Sequence, residues 1–390
     1  MTINALSFTT LYPNEKQPRH GIFIEQRLRH LVKATDIQLK VVAPVPWFPL
    51  KNKCFGQYSL YSGVAAYEER FDIDVHHPRY LVIPKIGMSI TPLLLALTGL
   101  KKIKELIKNG FKPDIIDAHY VYPDGVAAVL IGKWLNIPVV ITARGSDINV
   151  LPQYALPRKM ILWATKKSNM NITVSHALKM EMQKLGVPAD KIEVLRNGVD
   201  LETFSILPDV RNTKQASFKQ LVSVGNLIEL KGHHLVIEAL QELPDIELTI
   251  VGEGPMEVEL NQLAKDCGVY ERVKFSGYKT HQELAEIYNK SDALILASSR
   301  EGMPNVLLEA MACGTPVIAS SVGGAVEVVT SQSAGLLLKE RSVKGVVNAV
   351  TTLFQSMPKI EETRHHAEQF SWGRTVKTIN KLLVDIKASN

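Results

Sequence analysis

The sequence predicts an α/β protein that contains two doubly wound, Rossmann-like domains. Short apolar runs of strand length alternate with stretches of helical spacing along almost the whole chain. The length of 390 residues exceeds the usual size of one domain, so two domains are expected. Glycine also stands at junctions between a predicted strand and the next helix, the edge at which parallel sheets bind ligands.

The composition is typical of a globular protein, with 46% hydrophobic and 22% charged residues. The cysteines at positions 54, 267 and 313 are scattered and lack the spacing of a metal site, which favours a reducing compartment. The first ten residues do not resemble a signal peptide. No apolar run approaches the ~20 residues of a membrane span. We therefore expect a cytoplasmic protein.

Charge is divided unevenly between the two halves. Residues 1–200 carry 26 Lys and Arg against 16 Asp and Glu, a net charge of +10, whereas residues 201–390 carry −4. A basic half suits an anionic partner such as a membrane surface, a phosphorylated lipid or a nucleic acid. The alternative is a basic surface without a partner.

The first half opens with a predicted strand at Asn4–Phe8, a polar loop over 9–21 and a helix over 22–32. This order is that of a doubly wound domain, with the loop at the ligand-binding edge of the sheet. Gly21 either lets the backbone approach a ligand or only forms the turn that starts the helix. Further strands are predicted at 37–43, 114–119, 138–142, 169–174 and 191–195.

Two segments of this half are candidates for contact with a membrane or an acceptor. Residues 44–50 are predicted as an apolar loop in which Trp47 and Phe48 face either the core or a partner. Residues 92–110 show leucines at helical spacing and four lysines in the last two turns. Such a helix can lie on an anionic bilayer, or it can pack on the core and leave its lysines in solvent.

Two cationic or titratable residues follow predicted strands of the first half. His119 ends the strand over 114–119, a position better suited to function than that of most single histidines. Arg144 follows the strand over 138–142, and its forked guanidinium suits a phosphate or carboxylate. The alternative for Arg144 is a salt bridge with Asp147 within the turn.

After a predicted linker at 201–217, the second half repeats the opening of the first. A strand over 218–225 leads into the segment from Gly225 to Gly232, which contains Asn226 and Lys231. Glycine and lysine at such a junction suit a diphosphate, although the P-loop ending is missing. Further elements are predicted at 233–240, Ile246–Val251, 256–267, 273–277, 282–289, 325–329, 334–338 and 375–386.

The segment 298–320 carries two carboxylates eight positions apart, Glu301 and Glu309. Strands are predicted on both sides of it, and Pro304 suits the first turn of a short helix whose N-terminus would attract an anion. Glu309 lies among apolar residues, and a buried carboxylate needs partners such as ribose hydroxyls. The alternative is a pair of surface carboxylates.

The spacing Glu301-x7-Glu309, followed by Ala-Met-Ala-Cys-Gly-Thr-Pro-Val-Ile-Ala-Ser, closely resembles the motif of family-4 retaining glycosyltransferases. These enzymes have the GT-B fold, in which two Rossmann-like domains face a central cleft. The resemblance covers nearly the whole chain and is strongest over 218–330. Within this family, the chain resembles enzymes that make bacterial cell-surface polysaccharides of the teichuronic-acid type.

The resemblance implies roles for particular residues. Glu301 would contact the donor sugar, Glu309 the nucleotide ribose, and backbone amides between them the donor diphosphate. His119, Lys231 and Glu301 would form the catalytic set. The donor-binding set would comprise Gly21, Arg144, Asn226, Lys231, Gly277, Met303, Pro304, Asn305, Val306 and Glu309.

The chain departs from the family pattern at two positions. Arg144 stands where the family usually has histidine, and Asn226 stands where it usually has arginine. One of two cations that neutralise the diphosphate is therefore missing from its usual place, and Arg144 or Arg196 would compensate. Lys231 is retained.

The resemblance also implies an organisation and a reaction. Residues 1–200 would form the acceptor-side domain, 201–217 the linker, 218–370 the nucleotide-sugar domain, and 371–390 a helix that returns to the first domain. A UDP- or GDP-linked sugar would be the donor, and a lipid-linked or oligosaccharide acceptor would receive a hexose with retention. No metal, cofactor or nucleic acid is expected. A peripheral contact with the inner face of the membrane is expected.

Two other functions fit parts of the same pattern. One is a different enzyme on this fold, a nucleotide-sugar 2-epimerase or a phosphorylase, which the spacing of Glu301 and Glu309 disfavours. The other is a non-catalytic nucleotide-sugar binding protein, which the replacements at Asn226 and Arg144 would explain. Product analysis without acceptor and a comparison of turnover with binding separate these functions from glycosyl transfer.

Overall fold

A computed structural model describes residues 2–47, 57–82, 87–212 and 218–389. The chain divides into two compact units. The first unit comprises Met1–Asn197 together with Gly373–Asn390, and the second comprises Gly198–Trp372. Among the described residues, no helix combines the length and the apolar character needed to cross a membrane.

The first unit contains an eight-stranded sheet in the order β10-β9-β8-β7-β1-β2-β5-β4, and a separate parallel pair, β3 and β6. All neighbours in the large sheet are parallel except β4 and β5. The strands are β1 Asn4–Phe8, β2 Gln38–Val42, β3 Val45–Trp47, β4 Tyr67–Arg70, β5 Ile73–His76, β6 Arg79–Leu81, β7 Ile115–His119, β8 Val139–Ala143, β9 Met170–Thr173 and β10 Ile192–Val194.

Helices connect these strands, and the apolar face of α1 packs on the sheet through buried Ile24, Leu28 and Leu31. Ser175 accepts a hydrogen bond from the backbone N–H of Leu178 at 3.2 Å and so caps α7. The helices of this part of the chain are α1 Ile22–Ala34, α2 Gln57–Ser62, α3 Gly87–Lys108, α4 Val126–Leu135, α5 Ser146–Asn149, α6 Ala155–Lys167 and α7 His176–Lys184.

The predicted loop over 44–50 is wrong for its central part. Residues Val45–Trp47 form β3, which pairs in register with β6, so that Trp47 lies opposite Leu81. Proline is tolerated in such a two-stranded ribbon because one side of the strand needs no ladder partner. Phe48 lies outside the described residues.

The second unit contains a six-stranded, fully parallel sheet in the order β13-β12-β11-β14-β15-β16. This is the doubly wound Rossmann order 3-2-1-4-5-6. The strands are β11 Lys219–Val224, β12 Ile246–Val251, β13 Val273–Phe275, β14 Ala293–Leu296, β15 Val317–Ser320 and β16 Gly335–Leu338. The helices are α8 Pro208–Asn212, α9 His233–Ala239, α10 Glu257–Asp266, α11 His281–Lys290, α12 Asn305–Ala312, α13 Ala325–Val328, α14 Val343–Gln355 and α15 Ile360–Glu368.

Both sheets contain a switch point, where the chain order reverses. In the first unit it lies between β1 and β7, and in the second between β11 and β14. Ligands of doubly wound proteins bind outside the carboxyl ends of the strands at such points. Residues that follow these four strands are therefore the first candidates for a site.

The boundary between the units differs from the predicted one, because residues 198–212 belong to the second unit. Phe204 is buried, and its carbonyl oxygen accepts a hydrogen bond from Arg364 Nη1 at 2.7 Å. The backbone N–H of Leu207 donates to Asn289 Oδ1 at 2.9 Å. These contacts anchor the start of the predicted linker, whose residues 213–217 lie outside the described part of the chain.

The last helix, α16, spans Trp372–Ala388, and from Gly373 onward it belongs to the first unit. Ile379 and Leu383 are buried in the same apolar cluster as α1. Lys387 Nζ lies 2.7 Å from Asp114 Oδ2, close to the start of β7. The C-terminal segment thus completes the core of the first unit.

Candidate functional site

Two charged residues meet at the switch point of the second unit. Lys231 lies in the loop after β11, and Glu301 lies in the loop after β14, the strand that pairs with β11. Lys231 Nζ is 2.6 Å from Glu301 Oε1, and Ser298 Oγ donates to the same oxygen at 2.7 Å. An ammonium carries three N–H donors, so Lys231 keeps donors for a ligand anion.

Gly232 makes the approach of these two loops possible. Its φ of +72° lies in the left-handed region, and a Cβ at this position would come within 2.1 Å of the carbonyl oxygen of Ala297. That carbonyl oxygen is itself held by Arg341 Nε at 2.8 Å. A residue with a side chain would therefore push apart the ends of β14 and the loop that carries Lys231.

Glu309 lies within α12 and is 9% exposed. The hydroxyl of Tyr288, a buried residue of α11, donates to Glu309 Oε2 at 3.1 Å. Burial raises the pKa of Glu309 to about 7, because the apolar surroundings disfavour the carboxylate. One hydrogen bond is little for a buried carboxylate, which leaves acceptor capacity for hydroxyl groups of a ligand.

The N-terminus of α12 offers a second attraction for anions. The helix begins at Asn305, after Pro304, and no side chain caps it. Its first N–H groups and its dipole therefore favour negative charge in front of the helix. Met303 and Pro304 are buried, whereas Asn305 and Val306 are partly exposed. Glu301, which holds Lys231, precedes this helix end by only a few residues.

The remaining predicted residues of the second unit lie at the same edge of the sheet. Asn226 is exposed directly after β11, and the following Leu227 donates its backbone N–H to Glu253 O at 3.0 Å. Gly252 donates its N–H to the carbonyl oxygen of Gly277 at 2.9 Å. A Cβ on Gly277 would meet open space. The edge thus combines a cation, a helix N-terminus and a buried carboxylate, which suits a ribose linked to a diphosphate.

In the first unit, Gly21 has a structural reason to be glycine. Its φ is +76°, and a Cβ would lie 2.2 Å from the carbonyl oxygen of Leu11. Gly21 is also the residue before α1 begins at Ile22. The observation favours the helix-start alternative, and the donor-binding role of Gly21 stays a prediction.

Arg144 and His119 contact each other at the carboxyl ends of β7 and β8, next to the switch point of the first sheet. Arg144 Nη2 donates to His119 Nδ1 at 3.1 Å, and Arg144 Nη1 donates to Asn197 Oδ1 at 3.0 Å. The Asp147 carboxylate accepts from the backbone N–H groups of Arg144 at 3.1 Å and Gly145 at 2.7 Å. The Asp147 side chain therefore holds the turn by accepting from backbone N–H groups of the turn, and not through the alternative, a salt bridge with the Arg144 side chain.

The surroundings keep His119 neutral. Its side chain is fully buried, and Nε2 lies 3.5 Å from Asp117 Oδ2. Asp117 Oδ2 also lies 3.5 Å from Nη2 of Arg27, whose side chain is buried. Burial, reinforced by the charges of Arg27 and Arg144, holds the pKa of His119 well below its usual value. Because Arg144 donates to Nδ1, the single ring proton of His119 resides on Nε2.

The sequence reasoning missed two residues that organise these sites. Asp124 accepts from the backbone N–H of Thr10 at 2.8 Å and from the hydroxyl of Thr9 at 3.2 Å, and so holds the loop after β1. Burial raises the pKa of Asp124 to about 7. The second residue that the sequence reasoning missed is Tyr288, the partner of Glu309. Asp124 follows β7 within Tyr-Pro-Asp-Gly, a turn pattern that could have drawn attention to it, whereas nothing local marks Tyr288.

The predicted site residues thus form two groups. In the second unit, Lys231 contacts Glu301 directly, and Glu309 contacts Tyr288 instead of either of them. In the first unit, His119 contacts Arg144. Within the described residues, no group of three or more His, Cys, Asp or Glu side chains could hold a metal ion.

Two family models match the chain. The model described as "Glycosyltransferase Family 4" matches residues 58–203, and the model described as "Glycosyl transferases group 1" matches residues 209–370. Together they cover most of both units. The chain belongs to the family-4 type of glycosyltransferase.

Relatives of this glycosyltransferase extend over its full length. A Bacillus subtilis (strain 168) protein assigned to teichuronic acid biosynthesis, TuaC, is 28% identical over 96% of each chain. The sucrose-phosphate synthase of Thermosynechococcus elongatus superposes with a TM-score of 0.80 at 18% identity and full coverage of both chains. Anabaena Alr3699/HepE in complex with UDP-glucose superposes with a TM-score of 0.72 at 20% identity, again over both whole chains. These structures confirm the predicted GT-B fold.

Proposed function

We propose that this glycosyltransferase moves a hexose from a nucleoside-diphosphate sugar to a lipid-linked glycan, with retention of configuration and without a bound metal. The product would feed the synthesis of a cell-surface polysaccharide. The observation that carries the proposal is the contact between Lys231 and Glu301 at the switch point, close to the uncapped N-terminus of α12.

The chemistry follows from the departure of a diphosphate. The bond between the sugar C1 and the β-phosphate oxygen breaks, and negative charge develops on that oxygen. Lys231 and the first N–H groups of α12 would stabilise this charge, a role that a metal ion fills elsewhere. The acceptor hydroxyl attacks C1 from the face that the diphosphate leaves, and its proton passes to the leaving phosphate. No covalent nucleophile is required.

The relatives support particular substrates. HepE was crystallised with UDP-glucose, which makes UDP-linked sugars the first donors to test. TuaC is assigned to the synthesis of teichuronic acid, a polysaccharide, which supports a glycan acceptor. The basic first half, with its net charge of +10, suits an acceptor that bears a phosphate.

A panel of UDP- and GDP-sugars tests the proposal. We expect one donor to release its nucleoside diphosphate and to yield a product with the anomeric configuration of the donor, measured by NMR. Activity in EDTA should equal that in Mg²⁺, and a strict requirement for Mg²⁺ would contradict the metal-free reaction. Conversion to an epimer without acceptor would identify a 2-epimerase, and donor binding without turnover would identify a binding protein.

Glu309→Gln is expected to stabilise the fold and to weaken nucleotide binding. The carboxyl pKa of about 7 exceeds its ordinary value of 4.5, so between these pH values the folded chain binds a proton that the unfolded chain does not. Glu309 therefore lowers stability as the pH rises from 4.5 to 7, and by up to about 3 kcal/mol above 7. Thermal unfolding should show the largest gain for Glu309→Gln at pH 8 and almost none at pH 4.5.

Calorimetry with UDP checks the other half of this prediction. Loss of a ribose hydrogen bond to a charged acceptor costs ~1.5–3 kcal/mol, or about 10- to 100-fold in Kd. UDP affinity of the wild type should fall as the pH drops below about 7, whereas that of Glu309→Gln should not change. The control is Glu286→Gln on the exposed face of α11. Unchanged UDP affinity in Glu309→Gln would refute the ribose assignment.

The first unit offers a surface for an anionic membrane. One face of α3 is buried through Leu95, Ile103 and Leu106. The opposite face exposes Leu93 and Leu97, 47% and 51%, and continues into the exposed Lys101, Lys104 and Lys108. Lys102 is partly buried and pairs with Glu105. Trp47 and Leu81, paired across β3 and β6, are 51% and 48% exposed. The helix therefore packs on the core and also presents an apolar and basic stripe, so the two sequence alternatives are compatible.

We expect sedimentation with vesicles to require anionic lipid and to decrease as salt is added. Each basic residue near an anionic surface contributes about 1 kcal/mol, screened by salt. Neutralising Lys101, Lys102, Lys104 and Lys108 together should abolish binding. Neutralising the exposed Lys133, Lys159, Lys166 and Lys167 is the matched control and should not. Equal recovery in the supernatant with neutral and anionic vesicles at low salt would exclude membrane docking, though not glycosyl transfer.

A further inference from the structure

Arg144, rather than His119, presents a surface to solvent in the buried cluster of the first unit. The side chain of His119 is fully buried, and its Nδ1 is occupied by Arg144. Its Nε2 is buried as well and points to within 3.5 Å of Asp117 Oδ2. Arg144 is partly exposed. A substrate that approaches this edge of the sheet therefore meets the guanidinium before the imidazole.

The guanidinium of Arg144 is fixed in place but has unused donors. Its two terminal nitrogens donate to Asn197 and His119, and its Cζ lies over the ring of Phe23, 5.1 Å from the ring centre. Of the five N–H donors that a guanidinium carries, these contacts fill two. Its Nε is buried and has no hydrogen-bond partner among the described residues. A rigid fork with free donors is the geometry that binds carboxylate or phosphate.

Two guanidinium groups, those of Arg27 and Arg144, act on each other in this cluster. Both face the carboxylate of Asp117 at the base of the cluster, and Asp147 also acts on Arg144. The nearby Asp147 carboxylate is already satisfied by the backbone N–H groups of Val121, Arg144 and Gly145. Burial, together with the charge of Arg27, lowers the pKa of Arg144 to about 9. An added anion would offset this unfavourable environment.

We propose that Arg144 binds an oxyanion of the substrate, and that His119 is a positioning residue that holds the guanidinium through Nδ1. The oxyanion is either the carboxylate of an acidic donor sugar or a phosphate of the acceptor. The inference rests on the proposed function, because that reaction supplies the substrate. This proposal differs from the sequence-based prediction, which placed His119 in the catalytic set. Here His119 acts through Arg144 and does not touch the donor sugar.

Calorimetry on the full chain compares two pairs of ligands that differ by an anionic group. UDP-glucuronate and UDP-glucose differ by the sugar carboxylate, and farnesyl diphosphate and farnesol differ by the diphosphate. We expect the anionic member of one pair to bind at least tenfold more tightly, the effect of a charged hydrogen bond. The pair that shows the difference identifies the source of the oxyanion.

Substitutions then assign the preference to residues. Arg144→Gln should abolish the difference in affinity between the two members of the pair. His119→Phe, which removes the acceptor for Arg144, should reduce the difference, whereas His119→Asn, which keeps an acceptor, should preserve part of it. A merely structural role of His119 would lower the unfolding temperature without changing the ligand preference. The control is Arg158→Gln on the exposed face of α6.

The result also separates this inference from the proposed function. If the protein prefers the anionic member of one pair but turns over no donor, the result would support the oxyanion site and contradict glycosyl transfer. Turnover with equal affinities in both pairs, or a preference that survives in Arg144→Gln, would overturn the oxyanion site alone. Failure of the wild type to bind any of the four ligands would overturn the oxyanion site, whereas the panel of UDP- and GDP-sugars would still decide glycosyl transfer.

Discussion

Lys231→Ala is expected to lower kcat by about 10²-fold or more, the range found when a preorganised electrostatic donor is removed. Lys231 is held 2.6 Å from Glu301, with its side chain 21% exposed, so its position is set before the donor arrives. The substitution also leaves Glu301 without its cation, and the remaining carboxylate would repel the departing diphosphate. Both effects slow the departure of the diphosphate from the sugar.

Steady-state kinetics and UDP calorimetry measure this effect. Because the charge on the phosphate develops in the transition state, kcat should fall more than UDP affinity does. Lys231→Arg should recover part of the activity. The matched control is Lys290→Ala, which removes an exposed lysine that lies 3.8 Å from Glu286 on α11. A Lys231→Ala enzyme within threefold of wild-type kcat would show that Lys231 does not stabilise the leaving group.

The elements of the second unit could largely be predicted from the sequence, because its parallel strands are buried on both faces and appear as continuous apolar runs. The strand Ile246–Val251 agrees with its prediction at both ends. The antiparallel strand β4, Tyr67–Arg70, was not predicted, since it lies at an edge and contains three charged residues. Helix α14 was also missed, although Ser342 caps it and its apolar spacing is regular.

Contacts within the site required the three-dimensional structure. The spacing of Glu301 and Glu309 identified both carboxylates, but their partners come from other strands and helices. Lys231 meets Glu301 only because β11 and β14 are neighbours, and this pairing joins segments about 70 residues apart. Similarly, no local pattern shows that Tyr288 reaches Glu309, or that Arg144 covers His119.

Gly232→Ala is expected to reduce turnover as strongly as Lys231→Ala and also to destabilise the fold. The added Cβ would lie 2.1 Å from the carbonyl oxygen of Ala297, which cannot yield easily because Arg341 binds it. The left-handed backbone adds its own strain. We expect the free energy of unfolding to fall by about 3 kcal/mol or more, measured in urea.

The matched control is Gly268→Ala, at the end of α10. Gly268 has nearly the same φ, +68°, but a Cβ there would meet no atom within 4 Å. Its substitution therefore measures the backbone strain alone, ~1 kcal/mol, and should leave kcat unchanged. If Gly232→Ala behaved like Gly268→Ala in both measurements, the loop could move aside without cost. The contact of Lys231 with Glu301 would then not depend on the close approach of the loop to the end of β14, contrary to what the distances indicate.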